Sequence, residues 1–171
     1  MKAITPDDCE WYTPPEILEL IYQVMDIDLD PASPYPANVL ARKHYHKGIN
    51  GLTKPWSGNI YLNPPYGRDV AQWIQKLSAE YHSGRTKNAI LLIHAKTDTR
   101  WFCTIADMAA EICAWRGRIS FQSPDGKKGK GTFPSLLILC SNDYAIRQKF
   151  HKTFSPYGTM WKRVWAREAP R

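Results

Sequence analysis

The run Ala89-Ile90-Leu91-Leu92-Ile93 is apolar at five consecutive positions, so neither alternating face of a strand built from it is polar. Such a strand cannot leave one side in water. It asks for cover above and below, and central burial on both faces is the mark of a parallel sheet in an α/β protein. The segment before it supplies one cover: Val70, Trp73, Ile74, Leu77 and Tyr81 recur at helical spacing, which predicts an amphipathic helix over 68–82, ended by Gly84.

The other apolar blocks alternate with helical ones. Thr13-Pro14-Pro15-Glu16 sets threonine in a capping position and proline in a first turn, with Ile17, Leu18, Ile21, Tyr22 and Met25 on one face, which predicts a helix over about 14–25. Residues 25–29 read as a first strand closing at Asp30-Pro31-Ala32-Ser33-Pro34, and 59–62 as a short strand with Trp56 packed beneath it. Lys96, Asp98 and Arg100 leave the carboxyl end of the 89–93 strand and stand at its rim, where Thr97 or Asp98 would cap a helix carrying Trp101, Phe102, Ile105 and Met108. Residues 112–115 and 119–121 read as strands around Arg116-Gly117-Arg118, and 135–140 as one more buried strand. This alternation predicts an α/β fold: a Rossmann-like, doubly wound, mostly parallel sheet with an antiparallel addition near the C-terminus. At 171 residues the chain fits a single domain, 1–171, with a flexible basic tail from about 157.

The strand at 59–62 runs into Asn63-Pro64-Pro65-Tyr66-Gly67. Each proline bars its predecessor from helical backbone, so Asn63 and Pro64 are both pushed to extended conformation and the corner is stiff. An amide oxygen at Asn63, the backbone carbonyl of Pro64 and an aromatic face at Tyr66 can hold a planar amino group by accepting its two protons while its ring stacks. That chemistry suits an exocyclic amine. In an open α/β sheet ligands sit outside the carboxyl ends of strands, where Asp30 also falls, and a carboxylate there can accept from an ammonium or from ribose hydroxyls.

The charge balance favours a polyanionic partner: 23 Lys plus Arg against 16 Asp plus Glu give a net +7. Cys9, Cys103, Cys113 and Cys140 are scattered without a CxxC or a paired His, so no metal site or disulfide framework is expected. No stretch reaches the ~18 apolar residues of a membrane span, and the first residues lack the apolar run of a signal peptide, so a cytoplasmic protein is expected.

Asn63-Pro64-Pro65-Tyr66 resembles the tetrapeptide of S-adenosylmethionine-dependent amino methyltransferases that act on adenine N6, cytosine N4 or a protein glutamine. Trp11-Tyr12-Thr13-Pro14, Asp30-Pro31-Ala32-Ser33, Asn50-Gly51-Leu52 with Trp56, Thr97 to Phe102 and Arg116-Gly117-Arg118 stand in the order seen in small phage-type DNA N6-adenine methyltransferases, over roughly residues 10–140. The resemblance implies a methyltransferase fold and S-adenosylmethionine as cofactor. It implies Asn63, Pro64, Pro65 and Tyr66 as catalytic residues, and Trp11, Thr13, Pro14, Asp30, Ala32, Asn50, Leu52 and Asn63 around the cofactor. The glycine-rich turn of many methyltransferases is missing, so the small Ala32 and Ser33 would have to permit the close approach. Asn50-Gly51 is also the commonest tight-turn dipeptide, and a hairpin turn there stands beside the adenine-contact reading. Asn38 resembles an asparagine of the family.

DNA is the implied partner, with Arg100, Arg116, Arg118, Lys127, Lys128 and Lys130 as contacts. The patch Gly126-Lys127-Lys128-Gly129-Lys130-Gly131 reads as a flexible cationic loop, solvated or laid on the DNA backbone. The basic run from Arg42 to Lys47 reads as a solvated face or a phosphate-contacting segment. Residues 157–171, with Lys162, Arg163, Arg167, Trp161 and Trp165, read as a partly disordered tail or one lying over DNA. Two rivals stand beside adenine methylation: a protein glutamine methyltransferase and a basic nucleic-acid-binding module without catalysis. The sequence leaves the recognition site and the oligomeric state open.

Overall fold

The computed structural model describes residues 12–122, 128–130 and 133–162. In chain order the elements are α1 (Pro15–Val24), β1 (Ile27–Ser33), β2 (Ala41–His46), a short 3-10 turn (Gly51–Thr53), β3 (Gly58–Leu62), α2 (Val70–His82), β4 (Thr86–His94), α3 (Arg100–Met108), β5 (Glu111–Trp115), β6 (Ser120–Gln122), β7 (Lys128–Lys130), β8 (Ser135–Ser141), α4 (Tyr144–Phe154) and β9 (Gly158–Lys162). Seven strands form one sheet in the order β2-β1-β3-β4-β8-β5-β9. The pairs β1–β2, β1–β3 and β3–β4 are parallel, whereas β8 runs antiparallel to both β4 and β5, and β9 antiparallel to β5. The fold is therefore mixed α/β, parallel in its first half and antiparallel in its second.

The unbroken apolar run of β4 is explained by two cores. Ala89, Leu91 and Ile93 join the cluster under α2 and α3, where Trp56 and Trp73 stack at 5.9 Å; Ile90 and Leu92 join the cluster under α1 and α4, with Ile17, Ile21, Phe150 and Phe154. Trp56 is fully buried and donates its indole N–H to the Gly51 carbonyl at 2.8 Å, tying the 3-10 turn to the sheet. A side chain at Gly51 would run into the Pro31 carbonyl, so this close approach of turn to strand needs glycine.

Several expectations are corrected. The cap of α1 is Pro14, with no side-chain cap bond, because the Thr13 hydroxyl is engaged by Tyr61 instead. Asn50-Gly51 is not a hairpin: β2 and β3 are separated by β1, and Asn50 takes left-handed backbone (φ 54°) to start the 3-10 turn. The basic run contains strand β2, a sheet edge whose Arg42 and Lys43 face solvent while Tyr45 is buried. Lys128–Lys130 pairs with Ser120–Gln122 as a hairpin rather than lying in a loop, and Tyr12 bridges to Gln122 with N–H to carbonyl distances of 2.8 and 3.2 Å. The expected tail begins as strand β9, and Gly158 lets it approach where a Cβ would meet the Ala114 carbonyl. Arg163, Trp165, Arg167 and Arg171 lie outside the described residues. Helix α4 had no counterpart in the pattern, although Asp143 caps it by accepting from the Ala145 and Ile146 N–H groups at 2.8 and 3.1 Å.

Helix α3 is capped by Thr99 rather than by Thr97 or Asp98: its hydroxyl oxygen accepts from the Phe102 N–H at 3.3 Å and its O–H donates to the Lys96 carbonyl at 2.8 Å. Thr99→Ala is expected to lower stability by about 1 kcal/mol, measured by urea unfolding. An unchanged midpoint would show that the cap contributes nothing.

Candidate active site

Strand β3 ends with Tyr61 and Leu62 buried, and the prolines turn the chain out of the sheet at Asn63. Strand β1 pairs with β3 at Leu29–Ile60, so the residues that follow, Asp30 to Ser33 on one strand and Tyr61 to Asn63 on the other, lie at the carboxyl ends of neighbouring parallel strands. Residues from both strand ends line a cavity of about 530 Å³, within the range typical of small-ligand and cofactor sites. Thr13, Asp30, Ala32, Asn50, Leu52 and Asn63 line it, with Pro64, Pro65 and Tyr66 at one end.

Asp30 is 2% exposed. Its Oδ1 accepts from the Ala32 N–H at 3.2 Å, and among the described residues no cationic side chain pairs with it. Burial pushes its pKa up to about 7, opposed by the hydrogen bonds from Ala32 and Ser33. A buried carboxylate held that way is an acceptor in need of donors, and the cavity is where they would arrive.

At the other end the side chains order one another. Thr13 and Tyr61 hydroxyls meet at 2.6 Å, the Asn63 amide N–H donates to the Thr13 hydroxyl at 3.4 Å, and Asn38 donates to the Thr13 carbonyl at 2.9 Å. The Tyr66 hydroxyl lies 3.0 Å from Asn63 Oδ1 and 3.2 Å from the Leu92 carbonyl and shares its one proton between these two acceptors, while burial raises its pKa well above the usual phenol value. Asn63 is thus oriented from both its atoms, and its oxygen is directed by Tyr66. The ring of Tyr66 stacks face to face on His94, at 3.6 Å between centroids and 6° between planes. Burial first, and the Lys96 charge second, push the His94 pKa down to about 4, so the imidazole is neutral near pH 7.

The structure thus brings together nine of the expected residues, from β1, the corner that follows β3, the segment before α1 and the 3-10 turn with its capping Asn50. Pro14 is buried as the helix cap and does not line the cavity. Arg100, Arg116 and Arg118 are exposed, outside the cavity, at the start of α3 and in the β5–β6 turn. Trp11 and Lys127 lie outside the described residues, as do the side chains of Lys128 and Lys130. Sequence reasoning missed Tyr61, whose polar tip in an otherwise apolar strand is a usable signal, and Tyr45, His46 and Trp73, which also line the cavity.

Among the described residues no group of three or more His, Cys, Asp or Glu is placed to hold a metal, and no helix is long and apolar enough to cross a membrane. No curated protein sequence matches the chain. Residues 2–155 match the family model described as DNA N-6-adenine-methyltransferase (Dam), which spans both the Asp30 strand and the Asn63–Tyr66 corner. The chain belongs to the DNA N-6-adenine-methyltransferase family.

Proposed function

We propose that this protein transfers a methyl group from S-adenosylmethionine to N6 of an adenine extruded from DNA, within a Rossmann-like methyltransferase fold. The observation that carries the reading is that the acceptor corner and the buried Asp30 carboxylate line one cavity. The residues suit the cofactor: Asp30 meets ribose hydroxyls or an ammonium, Ala32 and Ser33 offer small side chains beside it, and Asn50 and Leu52 frame an adenine. When bound, S-adenosylmethionine supplies an electrophilic methyl group. The chain's own part is to hold the acceptor nitrogen, whose lone pair is delocalised into the purine. Asn63 Oδ1 and the Pro64 carbonyl accept the two N6 protons and favour the pyramidal amine that forms as the bond to carbon develops. The amide oxygen has two acceptor lone pairs, and the Tyr66 bond fixes its direction. His94 is neutral and is assigned no proton to move. N6 of a paired adenine is enclosed in the duplex, so the base must leave the stack.

Incubation of the protein with DNA and methyl-labelled cofactor, followed by digestion to nucleosides and mass identification, should yield N6-methyladenine. N4-methylcytosine alone, or label in protein and none in DNA, would overturn the reading. For the DNA-contacting surface, replacing Arg116 and Arg118 with glutamine should weaken DNA binding and reduce its log-log salt slope by about 2, at about 0.9 for each phosphate no longer neutralised, with cofactor affinity unchanged. A wild-type slope would return this turn to a solvated surface.

A further inference from the structure

We infer that His94 keeps the place of the target base: in the free protein its imidazole fills an aromatic slot between Tyr66 and Phe133, and the adenine has to displace it to reach Asn63. The inference rests on the DNA-adenine reading above. Its starting point is that one small, flat, neutral heteroaromatic ring lies between two larger rings, at 3.6 Å and 6° from Tyr66 and at 5.0 Å and 39° from Phe133. That is the environment a purine ring would take, and base stacking on aromatic side chains is indifferent to which base provides the π face.

The three rings differ in how firmly they are held. Tyr66 is pinned through its hydroxyl to Leu92 and Asn63, so the wall beside the acceptor corner is fixed. His94 is held by its backbone, which pairs with Ser135 across the β4–β8 ladder while the next N–H, of Ala95, donates to Pro134 at 2.8 Å. No hydrogen bond from its imidazole is seen among the described residues, so side-chain rotation alone would empty the slot. Phe133 is 42% exposed, with the Lys96 ammonium 4.7 Å over its ring, so the outer wall stands open to solvent under a positive charge suited to an approaching phosphate.

A second observation points the same way. Ser135 is 2% exposed, directly opposite His94 in an antiparallel pair, and therefore on the same face of the sheet. Its hydroxyl has no hydrogen-bonding partner among the described residues. A buried hydroxyl without a partner, facing a removable ring, is a polar group waiting for the slot's other occupant. The stack therefore behaves as a stand-in: it keeps Tyr66 desolvated and flat until a base arrives, and it makes base capture an exchange of one stacked ring for another.

The test is nuclear magnetic resonance of the wild-type protein, with the His94 ring signals assigned by their loss in His94→Gln. Stacked on Tyr66, these protons should resonate upfield of those of an exposed histidine. Adding S-adenosylhomocysteine and a short duplex cut from a plasmid segment that the enzyme methylates should move them to exposed-histidine positions, whereas the same duplex with thymine in place of the target adenine should not. Ring signals that keep their upfield position in the complex overturn the proposal. In parallel, His94→Ala should lower the KM for DNA by about two- to tenfold, the scale of losing one stacked ring pair, while His94→Phe keeps the slot filled and restores or raises the KM. A higher KM in His94→Ala would instead make His94 a support for Tyr66 and sink the displacement. Both variants are checked for folding by cofactor affinity, since His94 does not line that cavity. Product analysis separates the failures: N6-methyladenine formed while His94 stays stacked overturns the displacement alone, and DNA without N6-methyladenine overturns the parent reading with it.

Discussion

Asn63→Ala is expected to cut the single-turnover rate of adenine methylation by about 10²-fold or more, the usual scale for removing a preorganised group that acts on developing charge. The geometry says why the loss falls on the rate. Asn63 is oriented by Thr13 through its N–H and by Tyr66 through its oxygen, so the acceptor is already in place before any substrate arrives. A group that needs no reorganisation contributes most where charge changes most. Tyr66→Phe keeps the ring and removes the directing hydroxyl, so a smaller fall of about fivefold to tenfold is expected, the worth of one net hydrogen bond. Tyr66→Ala should lose about 1 to 3 kcal/mol of base stacking, seen mainly as weaker productive DNA binding. Each variant is first shown to be folded and to bind cofactor. Wild-type single-turnover methylation by Asn63→Ala would end the assignment of this corner as the site of transfer.

How far the fold is legible depends on whether an element's burial is local or borrowed. The run at Ala89–Ile93 declares itself because burial on both faces leaves no polar position in it, and α2 because its apolar face repeats along one helix. Strand β2 hides because it is an edge: Arg42 and Lys43 face water, and only its pairing with β1 makes Arg-Lys-His-Tyr a strand. Strand β9 hides for the same reason, since its partner β5 lies roughly forty residues earlier, and β7 hides because Lys-Gly-Lys carries no apolar face and becomes a strand only by pairing with β6. At the site, residues whose chemistry is carried by type and spacing were visible, namely Asp30, Asn63 and Tyr66. His94 and Phe133 were not, because their stack exists only through the register of β4 against β8, which sets His94 opposite Ser135 and brings the preceding segment alongside. Thr13 carried two readings, a cap from the residues and a cavity residue from the resemblance; the structure gives it no capping role and turns its hydroxyl onto Tyr61 and Asn63 at the cavity.

Asp30→Asn should weaken S-adenosylmethionine binding by about tenfold or more at pH 8 and, at the same pH, leave the cofactor-free protein more stable than the wild type. Both effects follow from one placement. Hydrogen bonds to a charged acceptor contribute about 1.5 to 3 kcal/mol, and the amide keeps the shape while losing the charge. The stability effect runs the other way because the folded pKa, pushed up to about 7, lies above the unfolded value of 3.8. Between those values the folded chain binds the extra proton, so rising pH destabilises it through this window, and above pH 7 the full cost of a buried charge is present. Asparagine carries no such cost. Cofactor donors favour the ionised carboxylate, so wild-type affinity should rise from pH 5.5 to a plateau above about pH 7, and binding near pH 6 should release about half a proton or more, measured by calorimetry in buffers of different ionisation enthalpy. The variant should show neither the slope nor the proton release. A charge that costs stability in the empty protein and repays it only with ligand bound is a functional charge, and equal cofactor affinity in the two proteins at pH 8 would take Asp30 out of the site.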